Sequence, residues 1–431
     1  MKNKNHAPLW MLAAALVCVL ALLWGTPEET PAPAPAESAE TAFPAPQGLR
    51  IAVASDTHLD PDNTDKQSGL GETVYNLEIA DAMLYDAKAQ GAELLLLTGD
   101  LCNSGKRPKH EALAQKLHAA EAAGLTVYVL PGNHDLAPLK QTEFAALYAD
   151  FGYDEAYSRD SASLSYCVLR DDVMLLMMDT AGYGVSAIDL PGAPKRTDSY
   201  AFFTEETLQW AEELLQTARE KKLSVLVAGH YNLIPEISRT ENTGYYVENG
   251  VRFAALLREY GVKLYLSGHM HLRAVYEEDG LTEQLTECLI AYPTAYTVLD
   301  LTPETIRVTP RRVDVERWAA ETGQTDPVLL GFDAWQRQEL EGYCRETVEA
   351  MAKKNPLNEG EKESAIRFFD AVMRAYWDGS LAGRREELRR TEGYGAFFRA
   401  AEGYSYGWWL KDLIESASPK LAGFTISFMG S

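Results

Sequence analysis

Short apolar runs, each ended by glycine or a polar turn, recur along the body of the chain. Leu49 to Ala54, Leu94 to Leu97, Leu125 to Leu130, Val225 to Ala228 and Lys263 to Leu266 are too short for helices, and their bulky side chains predict buried strands. Between them the apolar positions fall at helical spacing. In Thr73 to Gln90, the residues Leu77, Ala80, Met83, Leu84 and Ala87 make one face, and Pro108 to Ala123 repeats the pattern. Helices near Thr204 to Lys221 and Val251 to Tyr260 precede the last two strands. Strand alternating with helix predicts a parallel sheet with helices outside.

The rhythm then changes. Leu164 to Leu169 and Val173 to Met178, joined by Arg170-Asp171-Asp172, read as a hairpin. Arg273 to Glu278, Thr286 to Ala291, Ala295 to Leu301 and Thr305 to Pro310 read as antiparallel strands. Ala181 to Phe203 and Asn232 to Gly250 are long irregular loops, the second with Tyr231, Tyr245 and Tyr246 at or near it. Such loops beside strand ends either shape a pocket or form passive surface. Beyond about Phe332 the spacing is helical in Gly331 to Lys354, Glu359 to Asp378, Leu381 to Thr391 and Tyr394 to Ser416, and no known pattern is evident. A helix bundle packed on the preceding domain is the preferred reading over a binding module. Arg384, Arg385, Arg389 and Arg390 read as a solvated face.

At the other end, Lys2 and Lys4 precede an uncharged apolar run from Ala7 to Trp24, near the length that spans a bilayer. A positive flank inside places the remainder outside. No small-x-small cleavage site ends the run, so residues 1–25 read as a signal anchor, with a removed signal peptide as the alternative. Residues 26–48, with Pro-Ala repeats, read as an extended linker. The chain is then expected to be extracytoplasmic, membrane-anchored with its N-terminus in the cytoplasm, or secreted if the segment is cleaved.

Composition narrows the picture. Forty Lys plus Arg against 63 Asp plus Glu give a net charge of −23, which disfavours nucleic acid as a partner. Cys102, Cys167, Cys288 and Cys344 are widely spaced without a Cys-x-x-Cys pair, so buried free thiols are expected rather than a zinc ribbon or a disulfide framework.

Candidate chemistry sits just past the strands. Asp56-Thr57-His58, Gly99-Asp100, Gly132-Asn133-His134-Asp135, Gly229-His230 and Gly268-His269-Met270-His271 each put a carboxylate or imidazole at a strand's carboxyl end, where open α/β sheets place their ligands. Five of the eight histidines lie in these clusters. Any one of them is better read as a satisfied core histidine; five at successive strand ends are not.

This ordered set resembles the calcineurin-like metallophosphoesterase family, which includes purple acid phosphatases and class III cyclic-nucleotide phosphodiesterases. The resemblance spans residues 49–312 and leaves both ends uncovered. It implies an α/β fold, a four-layer α/β/β/α sandwich of two mixed sheets, with the strand-rich stretch after His271 in the second sheet; the helical spacing beyond it makes 313–431 a helical C-terminal region. The resemblance also implies a metal-dependent phosphoric ester hydrolase. Carried over residue by residue, Asp56, His58, Asp100 and His271 would hold a first metal, and Asp100, Asn133, His230 and His269 a second, with Asp100 shared. His134 would donate the leaving-group proton or bind the phosphoryl oxygen, which makes His134 and Asp100 the catalytic candidates. In the protein phosphatase branch an aspartate three residues after the bridging one orients this histidine. Here that position is Asn103, whose neutral amide could still hold the tautomer.

The chemistry agrees with such a set. Two cations about 3.5–4 Å apart lower the pKa of a shared water and clamp the phosphoryl group. Imidazole and oxygen donors without thiolate favour Mn, Fe or Zn over Mg or Ca. If Gly268-His269-Met270-His271 is extended, both rings fall on one side and a slight twist aims each at a different metal. The expected partner is a phosphomonoester or phosphodiester attacked by a metal-bridging hydroxide. The alternative is a non-catalytic surface-binding protein that retains the fold and binds through its C-terminal helices.

Overall fold

The computed structural model describes residues 48–63, 74–182, 185–193, 201–234 and 245–428. The expected signal anchor, nearly all of the linker and parts of both long loops lie outside these residues. Among the described residues no helix is long and apolar enough to cross a membrane.

The chain opens with β1 (Leu49–Ala54), α1 (Asn76–Ala89), β2 (Leu94–Thr98), α2 (Arg107–Ala122) and β3 (Thr126–Leu130), and the three strands pair in parallel. After α3 (Gln141–Leu147) come β4 (Ser158–Arg159), β5 (Tyr166–Arg170) and β6 (Val173–Met177), with β5 and β6 forming the expected hairpin. Next follow α4 (Glu205–Lys221), β7 (Ser224–Ala228), α5 (Gly250–Glu259) and β8 (Leu264–Ser267), and β6, β7 and β8 run parallel. The strands β9 (Ala274–Glu278), β10 (Leu281–Leu285), β11 (Ala295–Leu301) and β12 (Thr305–Arg312) complete this part.

Two mixed sheets result, with helices outside them. Along β6 alternate residues divide between two cores, the two-residue period of a strand. Leu175 and Met177 join the core that contains Val127 and Leu266, whereas Met174 and Leu176 join Leu208 of α4 and Phe253 of α5. The first core also takes in Ile79 of α1 and Leu113 of α2.

Two expectations about the later strands need correction. Residues 286–291 are not a strand; they form a buried connection in which the Thr286 N–H donates to the Ser267 carbonyl and the Leu289 N–H to the Ser55 carbonyl. Burial made the stretch apolar, and short apolar runs do not reveal their backbone geometry. Nor does the strand-rich region belong wholly to the second sheet. There the order is β4-β5-β6-β7-β8-β10-β9, but β11 pairs antiparallel with β1 in the first sheet, and β12 pairs antiparallel with β11 on its far side. Alternation marks a strand and is silent about its partner.

The C-terminal region contains α6 (Val315–Glu321), α7 (Phe332–Ala352), α8 (Glu359–Trp377), α9 (Leu381–Arg389), α10 (Glu392–Ala400) and α11 (Ser405–Ser416). The helix expected from Tyr394 to Ser416 is thus two, separated by a turn in which Gly403 has φ +73°. Leu340, Phe369, Phe397 and Leu410 share a separate core. A last strand, β13 (Phe424–Ser427), returns to pair with β12 at the edge of the first sheet. The arginine face of α9 is neutralised locally: Arg384 pairs with Glu387, Arg389 with Glu386 and Glu415, and Arg385 donates to the Ile414 and Ala417 carbonyls.

Candidate metal centre

Every candidate residue sits in a loop at the carboxyl end of a strand: Asp56 and His58 after β1, Asp100 after β2, Asn133 and His134 after β3, His230 after β7, His269 and His271 after β8. Backbone hydrogen bonds lock these loops together across both sheets. The Asp56 N–H donates to the Gly99 carbonyl at 3.0 Å, that of His58 to Asp100 at 2.9 Å, and that of Gly268 to His230 at 3.0 Å. Asp56, His58, Asp100 and His230 are buried, Asn133, His269 and His271 half-buried, and His134 exposed.

Strain marks the same residues. Asp56 (φ 51°), His58 (38°), Asp100 (48°), His269 (66°) and His271 (55°) all occupy the left-handed region, which costs of order 1–3 kcal/mol at each non-glycine residue. The Gly268–His271 segment is therefore not extended. Its left-handed turns send the two rings to different neighbours.

Asp100 is the common point. Its Oδ2 lies 3.7 Å from His58 Nε2 and 3.4 Å from His230 Nε2. On one side, Asp56 Oδ1 faces His271 Nε2 at 3.4 Å and His58 Nε2 at 3.8 Å, and the two ring nitrogens approach to 3.0 Å. On the other, Asn133 Oδ1 lies 3.2 Å from His230 Nε2, and the His269 ring stands 5.1 Å from the His230 ring. Donor atoms of Asp56, His58, Asp100 and His271 fall within 4.8 Å of one another, and so do those of Asp100, His230 and His269.

Residues 49–273, a little over half of the chain, match the calcineurin-like phosphoesterase family. The chain belongs to that family. This calcineurin-like phosphoesterase is accordingly a metal-dependent phosphoester hydrolase, and its family implies a dinuclear metal centre. Residues 314–416, which carried no pattern readable by eye, match the C-terminal domain of cyclic nucleotide phosphodiesterase. No curated protein matches the chain. Among solved structures it is similar to a dimetal phosphatase from Danio rerio, at 14% identity over 62% of this chain and 97% of that one, with a TM-score of 0.49. It is similar also to a purple acid phosphatase from yellow lupin, at 14% identity over 62% and 52%, with a TM-score of 0.41.

The donor sets of this phosphoesterase fit two cations. Asp56 Oδ1 is buried without a hydrogen-bond partner, an arrangement that needs a positive charge to offset its desolvation. Burial works against the Asp56 carboxylate, yet the His271 ring that faces it at 3.4 Å holds its pKa at about 2. Asp100 likewise stays well below the ordinary carboxylate range, burial notwithstanding, because His230 and His58 face it. Burial opposes the charging of His230, but Asp100 raises it to about 9, while burial pulls His58 down to about 3. Carboxylates kept ionised in a dry pocket, with a proton drawn onto His230 beside them, suit a cation, whose binding would take that proton's place.

Several residues that steer the donors were not legible beforehand. His230 Nδ1 faces the Thr98 carbonyl at 2.9 Å, which turns Nε2 toward Asp100, and its backbone N–H donates to Thr180 Oγ1 at 2.8 Å. Tyr231 stacks on His269, ring centroids 4.0 Å apart at 16°. Asp135 accepts the N–H groups of Gly132, Leu101 and Cys102 at 2.7, 3.0 and 2.9 Å, and so ties the Asp100 loop to the Asn133 loop. The Asn103 amide donates to Asp60 Oδ2 at 3.3 Å, and the Asn103 carbonyl faces His134 Nδ1, at 3.3 Å.

Gly268 has a steric reason for its identity. A Cβ there would lie 1.8 Å from Ser55 Oγ and 2.6 Å from Asp56 Oδ2. We expect Gly268→Ala to lower stability by about 1–3 kcal/mol, as overpacking does, and to reduce turnover by displacing Asp56. Ser55→Gly added to it should recover part of both losses, because the pair shares one clash. Thermal unfolding and turnover of the single and double variants check this; additive losses would contradict it.

Proposed function

We propose that this phosphoesterase hydrolyses small phosphodiesters, cyclic nucleotides first among them. The observation that carries the reading is the union, in one chain, of the catalytic domain with a region matching the C-terminal domain of cyclic nucleotide phosphodiesterase. A diester monoanion also suits a chain of net charge −23 better than a monoester dianion or a polyanion does.

In this reading Asp56, His58, Asp100 and His271 hold one cation, and Asp100, Asn133, His230 and His269 the other. When bound, Mn, Fe or Zn ions supply a nucleophile at neutral pH and neutralise the nonbridging oxygens. The protein's own residues supply the rest. Asp100 joins the two donor groups, and its Oδ1 accepts the His134 backbone N–H at 2.8 Å, fixing that loop. The exposed His134 ring, its Nδ1 turned to the Asn103 carbonyl, presents Nε2 to the leaving oxygen and gives it a proton. The same proposal places the enzyme outside the cytoplasm, tethered by its N-terminal apolar run. Protease access to a C-terminal tag on intact cells tests that location.

The substrate class is tested with p-nitrophenyl phosphate, bis-p-nitrophenyl phosphate, cyclic AMP and cyclic GMP, each with Mn²⁺, Fe²⁺ and Zn²⁺. A kcat/KM for the diester or a cyclic nucleotide at least tenfold above that for the monoester is the expected result. The reverse order would overturn the diester reading while leaving the phosphoesterase assignment intact.

A further inference from the structure

Two residues past His271, the buried Arg273 joins three parts of the chain. Its guanidinium donates to Glu287 Oε1 through Nε, at 3.0 Å, and through Nη2, and it donates to the Leu421 carbonyl through Nη1 at 3.1 Å. Its own carbonyl accepts a hydrogen bond from the hydroxyl of Tyr376 on α8. Arg273, Glu287, Tyr376 and Leu421 are 4%, 1%, 4% and 3% exposed. From Glu287 the network continues into the connection that holds Asp56: the Cys288 thiol donates to the Asp56 carbonyl and the Leu289 N–H to the Ser55 carbonyl, each at 3.1 Å. One set of bonds thus runs from the C-terminal region to both Asp56 and His271, which belong to the same donor group.

We propose that Tyr376 and the Leu421 carbonyl are positioning groups for the His269–His271 loop, so that the C-terminal region forms part of the scaffold for the first cation. This rests on the two-cation reading above. His271 has φ 55°, and a residue in that region persists where its surroundings over-determine it. Packing alone would cover the loop without fixing its backbone. A tyrosine hydroxyl bonded to the carbonyl two residues downstream does fix it. A buried guanidinium is also costly unless its donors are satisfied, and here one of its acceptors, the Leu421 carbonyl, comes from the C-terminal region. Partners of this outer kind are commonly worth about 10–100-fold in metal affinity.

Tyr376→Phe removes only the hydroxyl. Mn²⁺ titration of the metal-stripped full chain should show two sites in the wild type, and in the variant one of them weakened about tenfold or more, with turnover restored by raising Mn²⁺. Tyr343→Phe is the control. It breaks the Tyr343–Tyr406 hydroxyl pair at 2.8 Å, which lies within the helical region, and should leave both Mn²⁺ affinities unchanged. Arg273→Lys keeps a cation against Glu287 but gives up the Leu421 carbonyl, and should weaken the same site. Wild-type Mn²⁺ affinity in Tyr376→Phe or in Arg273→Lys, or an equal loss in Tyr343→Phe, overturns the proposal. If the wild type itself takes up fewer than two Mn²⁺, the two-cation reading falls and this proposal falls with it.

Discussion

Asp100→Ala and Asp100→Asn both reduce metal-dependent hydrolysis to the level of buffer and free metal. The expectation follows from the position of Oδ2, 3.7 Å from His58 and 3.4 Å from His230: no other carboxylate faces both donor groups among the described residues. Alanine alone would be ambiguous, because Oδ1 also accepts the His134 N–H at 2.8 Å, and losing a bond of that kind costs about 0.5–1.5 kcal/mol and frees the loop. Asparagine removes the ambiguity. It can keep the acceptor and the volume while giving up the charge, so the loop stays in place and only the anion shared by two cations disappears. Metal analysis should find two ions per wild-type chain and fewer in both variants. Two bound ions and wild-type turnover in Asp100→Asn would rule out the shared-ligand assignment.

What the sequence revealed, and what it concealed, follows from the range of the interactions. His230 and Asp100 were visible because a buried strand ends abruptly in a polar residue, a local signal. Asp135 sits in the same motif as Asn133, yet its task, accepting amides from residues 101 and 102, depends on a contact that no periodicity encodes. The left-handed backbone at His269 and His271 was not visible, since histidine carries no conformational preference strong enough to announce it. The strands β11 and β12 were recognised as strands but placed in the wrong sheet, because alternation reports burial on one face and not the neighbour. In the C-terminal region helical spacing was clear. The bond from Tyr376 to Arg273, across 103 residues, was not.

A non-catalytic binding protein that merely retains the fold is poorly served by this geometry. Strained backbone at five donor residues and a buried carboxylate oxygen without a partner both cost stability. A surface that only bound a ligand through its C-terminal helices would gain nothing from either. The helical core around Phe369 and Phe397 packs against Leu272, Val275 and Tyr292 of the catalytic domain, and Arg384 and Arg389 of α9 are already paired, so that region offers support more readily than a charged binding face.

His134→Ala keeps both metal ions and slows turnover by about 10²–10⁴-fold, the usual contribution of a positioned acid, but the loss depends on the leaving group. His134 is the exposed member of the cluster, and its Nε2 stands 4.0 Å from Asp100 Oδ2, farther than the ring nitrogens of His58, His230 and His271 stand from their carboxylates. Removing it therefore leaves both donor groups complete. A p-nitrophenolate leaving group needs little help from a proton, whereas the alkoxide released from a ribose ring needs a full one. The variant should consequently lose little activity on bis-p-nitrophenyl phosphate and most of it on a cyclic nucleotide. If His134 instead only bound the phosphoryl oxygen, both substrates would suffer alike, since that contact is common to them. An equal loss on the two esters would thus reassign His134 from proton donor to phosphoryl-binding group, and a loss of metal would place it among the ligands.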